Sequence, residues 1–487
     1  MKPVENKIML ITYANTMGQN LKRLDAVLDT YFSGVFGGLH ILPFFPSSGD
    51  RGFAVIHYDE VEPAFGDWVD IDHLANKYYL MADFMLNHIS IRSEEFQDYM
   101  RRGDASPYRD MFIHWEEFWP NGEPSQEDIA KLYRRKEGGP YLDFIREDGK
   151  RVRLWNTFFP EQVDIDPYTK PTQAYYDRNL NLLANHVPLV RFDAVAYASK
   201  RPGTSCFFVE PEIWEVLDIA MAPLRKRGTE MLSEIHENYH IQLKMAEKGY
   251  WVYDFALPML LLHGLMTGRT DRLIHWLNIC PRKQFTTLDT HDGIGVVDVA
   301  DLLTDDEINL VEENVNEIIR PAEPYLRYPG LVKKTGRKAS RYQLPCTYYS
   351  ALNADDDAYL LARAVQFFAP GIPQVYYVGL LAGENDIEAL KRGEEPRSIN
   401  RHTYSEDEIR AVVQKPMLQK MYKLMRLRNT HPAFDGEIVI GPDEGDGRLS
   451  ILRRNENQWV ELTADFSSKQ FTVRYSDPET LETKVLQ

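Results

Sequence analysis

The chain reads as an α/β protein: a (β/α)8 TIM barrel with an inserted domain after the third strand and a small C-terminal antiparallel β domain. Eight short apolar runs recur with helical patterns between them. They are nearly continuous in apolar residues, as strands covered on both faces must be. At 487 residues the chain is too long for one ordinary compact domain and leaves room for modules beyond a barrel. Acidic residues also follow three of the runs, at the rim where barrels of this type carry their chemistry.

Strands are expected, in order, at 7–12 (KIMLIT), 39–45 (LHILPFF), 79–86 (YLMADFML), 187–192 (VPLVRF), 230–235 (EMLSEI), 250–256 (YWVYDFA), 285–288 (FTTL) and 372–378 (IPQVYYV). Residues 1–88 then form the first part of the barrel, 89–165 an inserted domain rich in Arg, Glu, Trp, Phe and Gly, and 166–430 the rest of the barrel. Within that last part, 294–350 is a long loop in which acidic helical signals give way to the basic stretch LVKKTGRKASRY. Insertions this long at the C-terminal face of a barrel usually build the substrate site. From 431 to 487 short strand-like pieces (EIVI, RLSILRR, QWVELTADF, QFTVRYS) indicate the C-terminal β domain.

A net charge of −17 argues against nucleic acid or an anionic membrane as partner, and it makes any phosphate site a local cluster of Arg and Lys. Cys206, Cys280 and Cys346 are odd in number and widely spaced. They form neither a disulfide framework nor a zinc pattern and fit a reducing compartment. The opening MKPVENKIMLITYAN is too short and too polar in its apolar part for a signal peptide, and no run reaches transmembrane length, so a cytoplasmic location is expected. No GxGxxG, P-loop or Schiff-base lysine context occurs, and the oxygen cluster of a structural calcium site is not evident; neither cofactor nor metal is expected.

Val-Arg-Phe-Asp-Ala at 190–194 carries the most chemistry. Strand alternation puts Arg191 and Asp193 on one side, and a guanidinium beside a carboxylate favours the ionised form that a carboxylate nucleophile needs. Leu-Ser-Glu-Ile-His at 232–236 and Leu-Asp-Thr-His-Asp at 288–292 also close apolar runs. Each acid alone reads more often as a helix cap or an ion pair than as a catalyst. Three of them after three different strands read as one catalytic pocket.

That set resembles glycoside hydrolase family 13, the α-amylase family, along the whole chain. The family's four ordered regions match Asp83-Phe-Met-Leu-Asn87-His88, Arg191-Phe-Asp193, Glu234 and His291-Asp292. By this resemblance Asp193 is the nucleophile, Glu234 the general acid/base and Asp292 the transition-state stabiliser, while Arg191, His88 and His291 hold the glucosyl ring. The physical logic agrees. A retaining mechanism needs one ionised carboxylate and one protonated carboxyl roughly 5 Å apart. Glu234, in a less cationic context than Asp193, is expected to be the acid.

Within the family, LITYAN (10–15), GGLHILPFFPSSGDRGF (37–53), GTSCFF (203–208), YDFALP (253–258), LDTHDGIGV (288–296), CTYYSAL (346–352), PGIPQVYYVGLLAG (370–383) and INRH (399–402) are similar to sucrose phosphorylases. The resemblance implies that Asp50 and Arg401 clamp the far hydroxyls of glucose, that Phe53 and Phe158 wall its pocket, and that Gln162 lies near it. Tyr133-Arg134-Arg135-Lys136 in the first insertion and Arg341-Tyr342-Gln343 in the second supply donors for phosphate. Tyr197 and His236 look like acceptor-side residues.

PSSGDRGFA, EPEIW and the short C-terminal end are most similar to the branch that cleaves sucrose 6'-phosphate. That branch typically carries His where this chain has Tyr342. Sucrose phosphorylases proper usually carry Asp two residues earlier, where this chain has Ser340. The reading is therefore a retaining α-glucosyl phosphorylase acting on a sucrose-type α-glucoside, sucrose 6'-phosphate first and sucrose second, through a β-glucosyl-Asp intermediate. Glucosylglycerol or glucosylglycerate as substrate, or a transglucosidase or hydrolase, are the alternatives. The expected partners are the sugar and inorganic phosphate, and a homodimer would match the resembling enzymes.

Overall fold

In the computed structural model, which describes residues 4–136, 138–326, 332–333 and 340–486, all eight apolar runs become strands of a closed parallel barrel. They are β1 (Met9–Thr12), β2 (Gly38–Ile41), β3 (Tyr79–Met85), β4 (Leu189–Asp193), β5 (Glu230–Ser233), β6 (Trp251–Asp254), β7 (Gln284–Thr286) and β8 (Ile372–Tyr376). Neighbours around the ring follow chain order, and β8 closes it on β1. Every residue of β1, β3 and β8 is buried, which accounts for their lack of alternation. Several runs overshoot their strands, two of them for a visible reason. The one at 39–45 stops at Ile41, just before Pro43 and Pro46, which have no N–H for a ladder. The one at 372–378 stops at Tyr376 because the chain turns into the helix Tyr377–Leu380.

The chain divides into two compact units, one containing Ile41–Ile235, the other Glu5–His40 with His236–Gln487. In the first, β3 and β4 run in a register that sets Asp83 beside Arg191 and Met85 beside Asp193; β4 then pairs with β5, Phe192 beside Ser233. The insertion between β3 and β4 is closed at its base by an antiparallel ribbon, His88–Ser90 against Gln162–Asp164. It holds the helix Glu94–Arg102 and the hairpin Tyr141–Ile145/Arg151–Trp155. Its own small core gathers the indoles of Trp115, Trp119 and Trp155.

In the second unit β6 pairs with β7, β7 with β8 and β8 with β1. The long loop after β7 contains the helix Asp305–Ile319 and a two-residue ribbon, Ile294–Gly295 against Gln343–Leu344. Most of the basic stretch at 331–342 lies outside the described residues. Five antiparallel strands form the C-terminal sheet: β9 (Glu437–Ile440), β10 (Arg448–Asn455), β11 (Gln458–Asp465), β12 (Gln470–Ser476) and β13 (Thr483–Val485). Two buried arginines fasten this region. Arg428 Nε donates to the Phe367 carbonyl and Arg453 Nε to that of Phe368, both at 3.0 Å, so the end of the helix Asp356–Phe368 is capped by cations. Among the described residues no helix is long and apolar enough to cross a membrane.

Candidate active site

In the first unit the site begins at the end of β4. Arg191, almost fully buried, donates from Nη1 to Asp83 at 2.5 Å and to Asp193 at 2.9 Å. Alternation along β4 puts Arg191 and Asp193 together, as the sequence predicts. Directly after Asp193 the backbone turns left-handed at Ala194 (φ 57°), a conformation that a residue with a Cβ adopts at some cost. The turn aims the Ala194 N–H at Glu234, whose Oε2 accepts it at 3.0 Å. Glu234 follows β5, and its own N–H donates to the Phe192 carbonyl at 3.1 Å. One peptide unit therefore ties the two carboxylates together.

The electrostatics depart from the sequence expectation. Burial pushes Asp193 up to about 8; Arg191 pulls it down, but the charges of Glu234 and Asp83 add to the rise. Arg191 alone does not keep Asp193 ionised. Two carboxylates tied to one peptide unit resist losing both protons.

Around this pair stand the residues of the first insertion. His88 donates from Nε2 to the Phe53 carbonyl at 3.1 Å, and burial keeps its ring neutral, so Nδ1 carries a lone pair. Gln162 Nε2 reaches the same carbonyl at 3.3 Å and its Oε1 accepts from Phe159 N–H, bracing the loop from behind. Phe53 is buried with its ring 5.8 Å from the Arg191 guanidinium. Phe158 is half-buried between His88 (5.4 Å) and Tyr197 (4.9 Å), with Arg135 5.9 Å from its ring centre.

Asp50 and Arg51, both at positive φ, make the tight turn before Phe53. It fits only because Gly52 has no Cβ: one would lie 2.5 Å from the Pro43 carbonyl oxygen. Arg134 is exposed, whereas Arg135 and Lys136 are half-buried. Lys136 donates to the buried Asn156 side chain, and burial lowers its pKa to about 8. Lys200, not singled out by the sequence, lies 3.0 Å from Asp164 and donates to Asn87 at 2.8 Å.

In the second unit Asp292 is not at a strand end but in the loop beyond β7, which stops at Thr286. The anchor is Asp289, whose two oxygens accept from the buried Arg363 at 2.8 Å each. Burial opposes the ionisation of Asp292, yet His291, Arg397 and Arg401 hold its carboxyl far below the usual range. Arg397 lies 3.3 Å from it, and Asn400 donates to its backbone carbonyl at 2.6 Å. Arg401 is buried, donating to the His291 carbonyl (2.9 Å) and to Glu395 (2.9 Å).

His236 lies buried, stacked on Phe255 at 3.8 Å. Its carbonyl accepts from the Tyr342 hydroxyl at 3.1 Å, and its Nε2 is 3.2 Å from Gln343 Nε2. Ser340 and Arg341 form a short ribbon with Val332–Lys333; their side chains lie outside the described ones.

Sequence reasoning passed over Asp83, Asp289, Asp298, Arg363 and Arg397 as site residues. Only Asp83 and Asp289 carried a signal, being acids inside motifs already quoted. Arg363 and Arg397 come from distant segments and meet the site only through the fold, and Asp298 lies two residues past a quoted motif.

A parallel barrel with an Arg–Asp pair ending β4, a Glu after β5 and a His-Asp pair beyond β7 defines a protein of the α-amylase class. The model of the family "Alpha amylase, catalytic domain" matches residues 31–204. A sucrose phosphorylase of Streptococcus mutans is 49% identical over 485 residues, 98% of each chain. A glucosylglycerol phosphorylase of Marinobacter adhaerens is 41% identical over 486 residues, 99% of each. The crystal structure of sucrose 6F-phosphate phosphorylase from Thermoanaerobacter thermosaccharolyticum superposes with a TM-score of 0.92 at 42% identity, covering 99% of this chain and 98% of the other. The chain belongs to the phosphorylase branch of glycoside hydrolase family 13.

Proposed function

We propose that the protein is a retaining α-glucosyl phosphorylase acting on a sucrose-type α-glucoside. The observation that carries this reading is the peptide of Ala194, which holds Glu234 beside Asp193. An Asp193 oxygen attacks the anomeric carbon and the bond to the leaving oxygen breaks. Glu234 gives its proton to that oxygen, leaving a β-glucosyl ester on Asp193. Phosphate then attacks the same carbon, Glu234 takes the proton from it, and α-glucose 1-phosphate departs as the Asp193 carboxylate is restored. Asp292, ionised among cations, steadies the sugar hydroxyls as positive charge builds on the ring.

Arg134, Arg135 and Lys136 supply cationic donors on the acceptor side. Sucrose 6'-phosphate is the first substrate proposed and sucrose the second, because a cationic insertion suits an anionic leaving group. Glucosylglycerol is kept as a second reading because of the Marinobacter relative. Assay of glucose 1-phosphate from sucrose 6'-phosphate, sucrose, glucosylglycerol and glucosylglycerate at millimolar phosphate tests the reading. Release of free glucose alone from every substrate would reject the phosphorylase. Turnover with glucosylglycerol but not with either sucrose would reassign the acceptor.

A further inference from the structure

His236 is held on both sides of its ring. Its Nδ1 lies 3.1 Å from Asp298 Oδ2, and its Nε2 lies 3.2 Å from the side-chain nitrogen of Gln343. A carboxylate oxygen can only accept, so the ring proton sits on Nδ1. An amide nitrogen can only donate, so Nε2 presents its lone pair to Gln343. Both contacts are met by that one tautomer. Both His236 and Asp298 are buried, and the ring is clamped flat on Phe255.

The local fold is shaped around this pair. Asp298 lies in the turn Val297–Val299, which follows directly on the strand Ile294–Gly295. A Cβ on Gly295 would lie 2.2 Å from Asp298 Oδ2 and 3.1 Å from His236 Nδ1, so glycine there leaves space that the carboxylate fills. Gly295 pairs in register with Gln343, and the Val296 N–H donates to the Tyr342 carbonyl at 3.1 Å. Asp298 thus stands at the joint between β5's loop and the strand that carries Tyr342 and Gln343.

We propose that Asp298 is a positioning residue for the acceptor and phosphate side of the site. It fixes the Nδ1–H tautomer of His236, and through the Nε2 lone pair it fixes the orientation of the Gln343 amide. The proposal rests on the functional reading above for what the positioned groups bind, but not for the tautomer. The relation is that of a second carboxylate orienting a histidine whose other nitrogen does the work.

Two measurements test it. Nitrogen-15 NMR of the full chain labelled at histidine, with the His236 signals assigned by their loss in His236→Gln, should show Nδ1 protonated and Nε2 bare. Asp298→Leu, which offers no acceptor to Nδ1, should move part of the proton to Nε2, and Gly295→Ala should do the same by displacing the carboxylate. A wild-type ring protonated on Nε2 or on both nitrogens overturns the proposal, as does a tautomer indifferent to Asp298→Leu.

In steady-state assays Asp298→Ala should raise the KM for phosphate by roughly tenfold, the scale of one lost hydrogen bond. An unchanged phosphate KM in folded Asp298→Ala also overturns the proposal. Should the wild type form no glucose 1-phosphate at all, the functional reading fails, while the tautomer measurement still decides this one.

Discussion

At Asp193 two demands conflict. The proposed nucleophile must be ionised, yet burial lifts it to about 8. Raised above its unfolded value near 3.8, such a carboxyl gives stability that is complete at low pH and lost as pH rises through about 8. Asp193→Asn should therefore abolish turnover and flatten that dependence. Between pH 5 and 8 the melting temperature of the wild type should fall further than that of the variant, by about 3–4 °C. Activity should rise as pH climbs towards about 8 and Asp193 gives up its proton; a rate that falls between about pH 6 and 8 would contradict this. Lys136, lowered to about 8, is a sharper chemical probe. Near that pH about half of it is free amine, so an amine-selective acylating reagent at pH 8 should label it ahead of ordinary lysines near 10.4. Peptide mass mapping checks the order, and bound phosphate should protect it.

Among the elements, the loop after β7 shows how the proposed stabilising acid, Asp292, is placed without a strand beneath it. Arg363, from the helix Asp356–Phe368, forms a bidentate pair with Asp289, and no Cβ fits at Gly379 because it would lie 1.9 Å from Asp289 Oδ2. Arg363→Met leaves that carboxylate buried without its partner and should cost about 3–5 kcal/mol in denaturant unfolding. Asp292, three residues on, loses its anchor, so activity should fall even where the variant remains folded. The motif was plain in the sequence, but its support was not. Asp289 and Arg363 are 74 residues apart, and nothing in local pattern links them.

For the whole molecule, the eight barrel strands and the C-terminal sheet were legible because buried strands leave continuous apolar runs and exposed ones alternate. Strand ends were less so, since proline and an incoming helix decide them. The Arg191–Asp193 pair followed from a period of two. Its charge state did not follow, because burial depends on everything packed around it. Residues that act through others, such as Asp298 on His236, were invisible, as their partners come from separate stretches.

The pairing of β1 with β8, Met9 beside Gln374, joins the first barrel strand to the last. During synthesis, residues 9–12 leave the ribosome long before 372–376 exist, and every residue in that early segment is destined for burial. Contacts this distant in sequence make folding slow and leave sticky edges open meanwhile. A chain stopped at Gly371 should accumulate as insoluble protein or bound to chaperones, whereas one continued through Leu380 and beyond to Gln487 should be recovered in solution, as fractionation would show. How well such a protein is produced in a cell then depends on protecting a four-residue stretch until its neighbour has been translated.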